Sequence, residues 1–558
     1  MDILVGTIIT NENGTGELVK LAPGIYMIEE LEAPSGYNKN KDKIKIDAKI
    51  KGPNIAYFEY LADVPEKPIT INVRKTSFDE IGKVVYVEGA VLALFNDKNE
   101  KIEEWTSTKN GHTFKGLPKG KYYIKELRTP KGYLPLENDY HFDVKETEEL
   151  QKPEVFNEPI PEIKTVATFD TGVKEGMPED RVTVVDKFEY KKVMKGSPYA
   201  IKAKLVDKDN IDNVIAEDYK EFTPSNYSGE EKLKFTFDAT KLENKRLVVL
   251  MELHRLDRTD KTLVAVHKDA NNMDETVVIP TIKTKATDKI DAKKEMLAGK
   301  KQTIVDSVTY RNLIVGTKYR ISGKLMDKQT GKPILDDGKE VNASREFIAE
   351  TKNGKIELEF TLNSTALAGK TIVVFEDVYN DKIKIATHSE IDNEEQSIYI
   401  PKISTKLTEK DSGEKEMHAF EDINLTDEIG YENLLVGAKY FVKGRVINKK
   451  TGETIAEAER EFSPEKESCS VNLDFALNAG ELNGTSLVCF EEVYSTDGEG
   501  KPAKLVAEHK DINDESQSVK IIKKELTKTG DSTGTIFYIL GLAIAAIAVV
   551  TIKYRKFR

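Results

Sequence analysis

The chain has 558 residues, 39% of them hydrophobic and 32% charged, with a formal net charge of −12. It is too long for one hydrophobic core and too apolar for a disordered chain, so several domains in series are expected. The acidic balance, without a basic stripe, excludes a nucleic-acid binder. With only two cysteines, Cys469 and Cys489, a disulfide framework and a cysteine-type zinc site are excluded too, while the pairing of those two stays open.

Met1-Asp-Ile-Leu-Val-Gly6 lacks the basic start and apolar core of a secretory signal, so the sequence reads as beginning within a longer precursor. Residues 1–66 and 67–160 share one pattern. Gly24-Ile-Tyr26-Met-Ile-Glu-Glu30-Leu-Glu-Ala-Pro34-Ser-Gly36-Tyr37 matches Gly120-Lys-Tyr122-Tyr-Ile-Lys-Glu126-Leu-Arg-Thr-Pro130-Lys-Gly132-Tyr133. Alternation followed by a Pro-x-Gly turn predicts a half-buried strand leaving a sandwich edge. Glu30 and Glu126 share parity with Ile28 and Ile124 and so face the core, where a carboxylate is costly unless paired or protonated.

These two segments resemble Cna-B (SpaA-like) modules, the β-sandwich stalk domains of Gram-positive adhesins and pilins. The resemblance implies an isopeptide bond in which Lys75, within Ile71-Asn-Val-Arg-Lys75-Thr, attacks Asn157, within Val155-Phe-Asn157-Glu-Pro, with Glu126 as catalyst. Burial would make the lysine a neutral nucleophile and the glutamate a proton donor. In residues 1–66, Glu30 is present and Asp63 takes the asparagine position, but the strand that should carry the lysine is missing. The first module is therefore expected to be a truncated one without a bond.

From 161 onward a longer repeat takes over, at 161–281, 282–402 and 403–522. Its copies open on Ile163-Lys-Thr165, Ile282-Lys-Thr284 and Ile403-Ser-Thr405, followed by Val184-Val-Asp186, Ile304-Val-Asp306 and Leu425-Thr-Asp427. Later come Val248-Val-Leu-Met-Glu252, Ile372-Val-Val-Phe-Glu376 and Leu487-Val-Cys-Phe-Glu491. Each copy ends on a histidine, a polar loop and a terminal side-chain carbonyl: His267 to Glu275, His388 to Gln396 and His509 to Gln517. Short strands with Gly and Asx turns and little helical periodicity predict an all-β sandwich for each copy. Parity puts Thr284 and Asp306 toward the core, and a buried acid pair beside one histidine is costly as packing but suited to deprotonating a hydroxyl. One histidine per copy with scattered carboxylates has no metal-ligand spacing, so no metal and no cofactor are expected.

This constellation resembles the T-Q ester-bond domain, also called the VaFE repeat. The resemblance implies an ester between Thr284 and Gln396, assisted by Asp306, Glu376 and His388, and another between Thr405 and Gln517, assisted by Asp427, Glu491 and His509. Thr287 and Thr408 are runner-up nucleophiles with the wrong parity. The copy at 161–281 carries Thr165, Asp186, Glu252 and His267 but Glu275 in place of glutamine, so it is expected to fold without a bond or to form one slowly.

Residues 523–558 hold Leu526-Thr-Lys-Thr529-Gly530, an apolar run from Ile536 to Ile552 and a basic end of Lys553, Arg555, Lys556 and Arg558. The run has about the lower length limit for a spanning helix, and the basic end would stay in the cytoplasm. The order resembles a cell-wall sorting signal, although Thr527 stands where the family has proline. It implies cleavage between Thr529 and Gly530 by a sortase, with peptidoglycan as acceptor and the membrane helix as a transient anchor; a plain single-pass anchor is the alternative.

The fold expected is all-β, tandem Ig-like or transthyretin-like sandwich modules plus a C-terminal transmembrane sorting segment. The expected function is a self-crosslinked stalk of a wall-anchored adhesin or fimbria-like protein, not an enzyme with turnover, whose host or matrix ligand would bind an N-terminal tip. A sortase-polymerised pilin subunit would need a pilin-motif lysine, and a surface hydrolase would need an open cleft.

Overall fold

The computed structural model describes residues 3–50, 52, 59–259, 262–419 and 422–523. Leu526, Thr529, Gly530 and the apolar run 536–552 lie outside them. Among the described residues the regular elements are β-strands and two single-turn 3-10 helices, Thr365–Leu367 and Glu394–Gln396. No helix there is long and apolar enough to cross a membrane. The all-β expectation holds. The chain gathers into two compact units: one comprises the chain up to Ala292 with Thr303–Thr361 and Val373–Ser397, the other Lys293–Gln302, Leu362–Ile372 and the chain from Ile398 on.

In the first short module Gly24–Ile28 pairs antiparallel with Ile44–Ala48, and Tyr37–Asn38 with Lys67–Pro68. Glu30 accepts the backbone N–H of Asn40 at 2.5 Å, and Asp63 is exposed. The second short module is a complete sandwich. One sheet orders Tyr140–Val144, Gly120–Arg128, Val91–Asn96 and Lys101–Thr106; the other orders Glu154–Phe156, Thr70–Phe78 and Val84–Tyr86, with His112–Lys115 also on Thr70–Phe78. Period-two alternation turns Tyr122, Ile124 and Glu126 of Gly120–Arg128 inward, onto a core that includes Ile71, Val73, Leu92, Leu94 and Val155. The last strand lies parallel to the first, with Val155 opposite Lys75.

Each long repeat is a second kind of sandwich. In 161–281 a three-stranded sheet orders Glu162–Phe169, Val182–Lys191 and Ser228–Phe237, and it faces a sheet ordered Asn210–Phe222, Tyr199–Asp207, Arg246–Arg255, Leu263–His267, with Thr276–Val278 also on Arg246–Arg255. The next repeat copies it with Thr281–Asp288, Gln302–Arg311 and Gly354–Leu362 against Asn342–Ile348, Lys318–Asp327, Thr371–Asn380, Ile383–His388 and Ser397–Tyr399. The last copies it again, with Glu416–His418 added at one edge beside Ser518–Ile522. Alternation sets the polar residues among the apolar ones: Ile304, Asp306, Val308 and Tyr310 all point inward from one strand.

Buried tyrosines are tied to carboxylates of a neighbouring repeat. The Tyr319 hydroxyl accepts from Ile314 N at 2.9 Å and donates to Glu175, whose other oxygen accepts from Asn380 Nδ2 at 3.0 Å. In the second unit Tyr440 accepts from Leu435 N at 2.9 Å and donates to Glu295 at 2.6 Å. Burial, reinforced by the adjacent carboxylate, pushes both phenols up, so each stays a donor.

Candidate functional site

In the second short module Lys75 Nζ lies 3.3 Å from Glu126 Oε1, with side chains 0% and 3% exposed. Burial lowers the ammonium to about 8, against the opposing pull of Glu126. Asn157 Nδ2 donates to Glu126 Oε1 at 3.0 Å and to Leu134 O at 2.8 Å, while Asn157 Oδ1 is buried without a hydrogen-bond partner. Thr129 Oγ1 and Leu136 N hold Glu126 Oε2 at 3.0 and 3.1 Å. Asn157 N also donates to Thr76 O at 3.0 Å, which seats the asparagine beside the lysine strand. The three residues expected to react are thus brought together.

In the two later long repeats the five expected side chains converge between the sheets. The first sheet supplies the threonine and the aspartate from neighbouring strands, with Thr284 opposite Val308 and Ala286 opposite Asp306, and Thr405 opposite Ile429 and Leu407 opposite Asp427. The second sheet supplies glutamate and histidine as direct cross-strand pairs, Glu376 with His388 and Glu491 with His509. The glutamine enters from the segment that pairs with the glutamate strand. Thr284 Oγ1 and His388 Nδ1 are 3.1 Å apart, and Thr405 Oγ1 and His509 Nδ1 3.5 Å. Gln396 Nε2 donates to Glu376 Oε2 at 2.5 Å, and Gln517 Nε2 donates to Glu491 Oε2.

The electrostatics divide the acid pair. Burial first, then the adjacent Asp306, raises Glu376 well above the usual carboxyl range. Glu491 is raised in the same way, by burial and Asp427, and Asp427 is raised chiefly by burial, against the hydrogen bond from Glu491. Two buried carboxyls that touch hold one proton between them, and the glutamate keeps it. Burial lowers His388, so its imidazole is neutral and able to accept. The carbonyl oxygens Gln396 Oε1 and Gln517 Oε1 are buried without hydrogen-bond partners. Thr287 Oγ1 turns away instead, donating to Val305 O at 3.4 Å.

The repeat at 161–281 departs at two positions. Glu252, expected inside, is 30% exposed and bonds Lys268 and His254 at 2.6 and 3.0 Å on the outer face. Its strand is displaced by one residue from the alignment that matches glutamates: Met251 is the residue paired with His267, where Glu376 and Glu491 meet their histidines. A one-residue slip in a strand exchanges inside for outside. Aligning the buried runs Leu247-Val-Val249, Ile372-Val-Val374 and Leu487-Val-Cys489 would have found it. Thr165 Oγ1 donates to Glu275 Oε1 at 2.5 Å, and His267 Nδ1 lies 2.8 Å from the same oxygen. Burial raises Glu275 to about 8 and Asp186 to about 6.

A family model described as "T-Q ester bond containing domain" matches residues 161–279, 280–400 and 401–521. The chain belongs to the T-Q ester bond domain family. A second model, described as SpaA, a "Prealbumin-like fold domain", matches 2–58 and 70–159. No curated protein matches. Among solved structures, the Bacillus anthracis TIE protein is 17% identical with a TM-score of 0.23, covering 47% of this chain and 43% of its own. The chain thus spans less than half of that protein. BcpA, the major pilin subunit of Bacillus cereus, is 16% identical with a TM-score of 0.21, over 58% of this chain and 96% of its own. A Mobiluncus mulieris adhesin containing intramolecular disulfide, isopeptide and ester bond cross-links is 17% identical with a TM-score of 0.20, over 40% and 81%.

Within the T-Q repeats, the third site carries one group the others lack. Cys489 points inward two residues before Glu491, where the earlier copies have Val249 and Val374. Its sulfur and the oxygens of Asp427 and Glu491 lie within 4.8 Å of one another, and burial beside the two acids pushes the thiol up. Cys469 is exposed, and both cysteines are free.

Proposed function

We propose that the chain is a structural stalk of a Gram-positive surface adhesin or fimbria-like protein, whose modules close covalently on themselves. The observation that carries this reading is the meeting, in two T-Q repeats, of a first-strand threonine and a last-segment glutamine around a buried acid pair and a histidine.

The geometry supports one sequence of steps. The histidine Nδ1 takes the proton of the threonine Oγ1, which attacks the glutamine Cδ. The protonated glutamate, already accepting the amide N–H, supplies the proton that the leaving nitrogen needs. Thr Oγ–H and Gln CO–NH2 become an Oγ–CO ester and ammonia, and the histidine proton restores the acid. In the second short module Lys75 Nζ attacks Asn157 Cγ in the same way, giving an amide and ammonia, with Glu126 as proton carrier. These groups act once, on their own chain.

Each ester would close a loop on the order of 110 residues, which by the chain-entropy argument for disulfides constrains the unfolded state by about 4 to 5 kcal/mol. In a tethered stalk, tension enters at one terminal strand and leaves at the other. A link between them carries that load past the sandwich, which suits a surface protein with almost no cysteine. The Leu526-Thr-Lys-Thr-Gly530 order supports a sortase and peptidoglycan as partners at the C-terminus.

Intact mass and tandem mass spectrometry of the purified chain test the reading. The expected result is the loss of one ammonia at each of Lys75–Asn157, Thr284–Gln396 and Thr405–Gln517. An unshifted mass overturns it. Replacing residues 526–530 should release the protein from the wall fraction; undiminished linkage would remove the sorting role.

A further inference from the structure

Each T-Q repeat carries a Lys-Glu dipeptide shortly after its first strand: Lys174-Glu175, Lys294-Glu295 and Lys415-Glu416. None of the six belongs to the threonine, acid, histidine and glutamine set. In every copy the dipeptide runs beside the segment that leaves the acceptor residue. Val278 N donates to Lys174 O at 2.9 Å, Tyr399 N to Lys294 O at 2.8 Å and Lys520 N to Lys415 O at 2.8 Å. The backbone bridges are parallel, joining Glu175 to Val278, Glu295 to Tyr399 and Glu416 to Lys520.

That placement sends the lysine side chain to the acceptor segment. Lys415 Nζ donates to Glu515 O and Ser516 O at 2.6 Å each and to Ser518 O at 3.4 Å, so its contacts bracket Gln517. Lys174 Nζ donates to Met273 O at 3.3 Å and to Asp274 O, the two carbonyls before Glu275. An ammonium has three donors and no acceptor, and here they are spent on peptide carbonyls rather than on a carboxylate. Peptide planes pinned on both sides of a residue fix the direction of its Cα–Cβ bond. Leu407 N and Cys489 N hold Ser516 O and Gln517 O at 3.0 Å each, and Asp511 and Asp514 make short Asx-type contacts in the loop before them; the lysine adds the side-chain pins on Glu515 O and Ser518 O.

Resting on the ester chemistry proposed above, we propose that Lys415 is a positioning residue of the crosslinking reaction. Its ammonium clamps the carbonyls around Gln517 and thereby presents the carboxamide to Thr405. Lys174 makes the corresponding clamp on Glu275, and Lys294 holds the same place in sequence and backbone. The charged groups around Lys415 are Asp514, Lys406, Asp427 and Glu515. Because Asp427 lies in its field, the clamp also favours the ionised aspartate of the acid pair. A misplacement of about 1 Å is enough to cost on the order of a hundredfold in a reaction between held groups.

The test uses the full chain made by cell-free synthesis, with aliquots moved to buffers of different pH and quenched over time. Site-resolved peptide mass spectrometry then follows Thr405–Gln517, with Thr284–Gln396 in the same molecule as the internal clock. Lys415→Met should slow the third link at least tenfold, leave the second unchanged and move the acid limb of the pH profile upward. Lys415→Arg, which keeps charge and donors, should recover the rate to within about threefold and keep the original profile. Native hydrogen exchange on Ser486–Thr496 reports whether the third repeat has folded. A wild-type rate in folded Lys415→Met overturns the proposal. So does loss of exchange protection in Lys415→Met, Lys415→Gln and Lys415→Arg alike, which assigns the lysine to the fold. An unaltered chain with no Thr405–Gln517 link overturns the ester reading itself, a result distinct from both.

Discussion

Met251 faces His267 across a strand pair, at the position where Glu376 faces His388 and Glu491 faces His509. The carboxyl missing from that strand reappears on the acceptor segment as Glu275, where the other repeats have glutamine. The two departures work in the same direction. Met251 removes the acid that would protonate a leaving group, and Glu275 replaces an amide by a carboxyl, whose ionised form is a poor acyl acceptor. What remains is a buried hydrogen bond between Thr165 and Glu275.

The first T-Q repeat should therefore carry no covalent link, and both departures must be reversed to install one. Met251→Glu combined with Glu275→Gln is expected to form a bond from Thr165 to residue 275 with loss of ammonia, read by tandem mass spectrometry. Either substitution alone leaves the peptides separate, because each restores only half of the acid-and-amide pair. A link in the unaltered repeat, with loss of water, would show that Glu275 reacts without the missing acid.

Stability of the same repeat should fall on the alkaline side. Glu275 is raised from an ordinary 4.5 to about 8, so the proton it holds in the fold contributes stability fully present below about 4.5 and lost as pH rises through about 8. Asp186, raised from 3.8 to about 6, has the same sign over a more acidic window. His267 is lowered by burial and acts in the opposite sense, gaining stability as pH rises toward 6.5. Above pH 6.5 Glu275 is the one of the three still titrating. Melting temperature followed between pH 6.5 and 8.5 should decline for the transition of this repeat, and Glu275→Gln should flatten the slope. An equal slope in that variant would place the titrating group elsewhere.

For the second T-Q repeat, the threonine methyl and hydroxyl are separable. Thr284→Ser keeps the Oγ that meets His388 and should still form the ester; Thr284→Ala cannot. Losing a closed loop of this size costs about 4 to 5 kcal/mol, roughly 15 °C in melting temperature for a domain of this length. Glu376→Gln should match Thr284→Ala in lacking the link, since the leaving nitrogen then has no acid. Equal melting temperatures for Thr284→Ser and Thr284→Ala would mean that the bond, where present, does not staple the fold.

Period-two alternation made most of this legible in the sequence. It placed Asp306 with Ile304 and Val308, and Glu126 with Ile124, in positions the sheets turn inward. It failed where the alignment leaned on residue identity rather than on burial: matching Glu252 to Glu376 concealed Met251, and a single step along a strand reversed inside and outside. Lys174 and Lys415 stayed invisible for another reason. Their partners are backbone carbonyls a hundred residues away, and a carbonyl leaves no mark in a sequence. The tyrosine-to-glutamate contacts of Tyr319 and Tyr440 join different repeats, beyond the reach of any pattern read within one copy.

Lys75 gives the isopeptide reaction a pH dependence of its own. The attacking form is the neutral amine, and burial brings the ammonium down to about 8 while the contact with Glu126 resists. Well below that value the neutral fraction falls about tenfold per pH unit. In chain synthesised cell-free and shifted to buffers between pH 5.5 and 8.5, the Lys75–Asn157 link should form about ten times more slowly at pH 6 than at pH 7 and level off above 8. Lys75→Arg should form none at any of these values, because a guanidinium does not give up its proton there. A rate independent of pH would mean that deprotonation of Lys75 does not limit the reaction. Glu126→Gln should form no link at any of these values, because the carboxyl that carries the proton to the leaving nitrogen is gone; a link in that variant would remove Glu126 from the reaction.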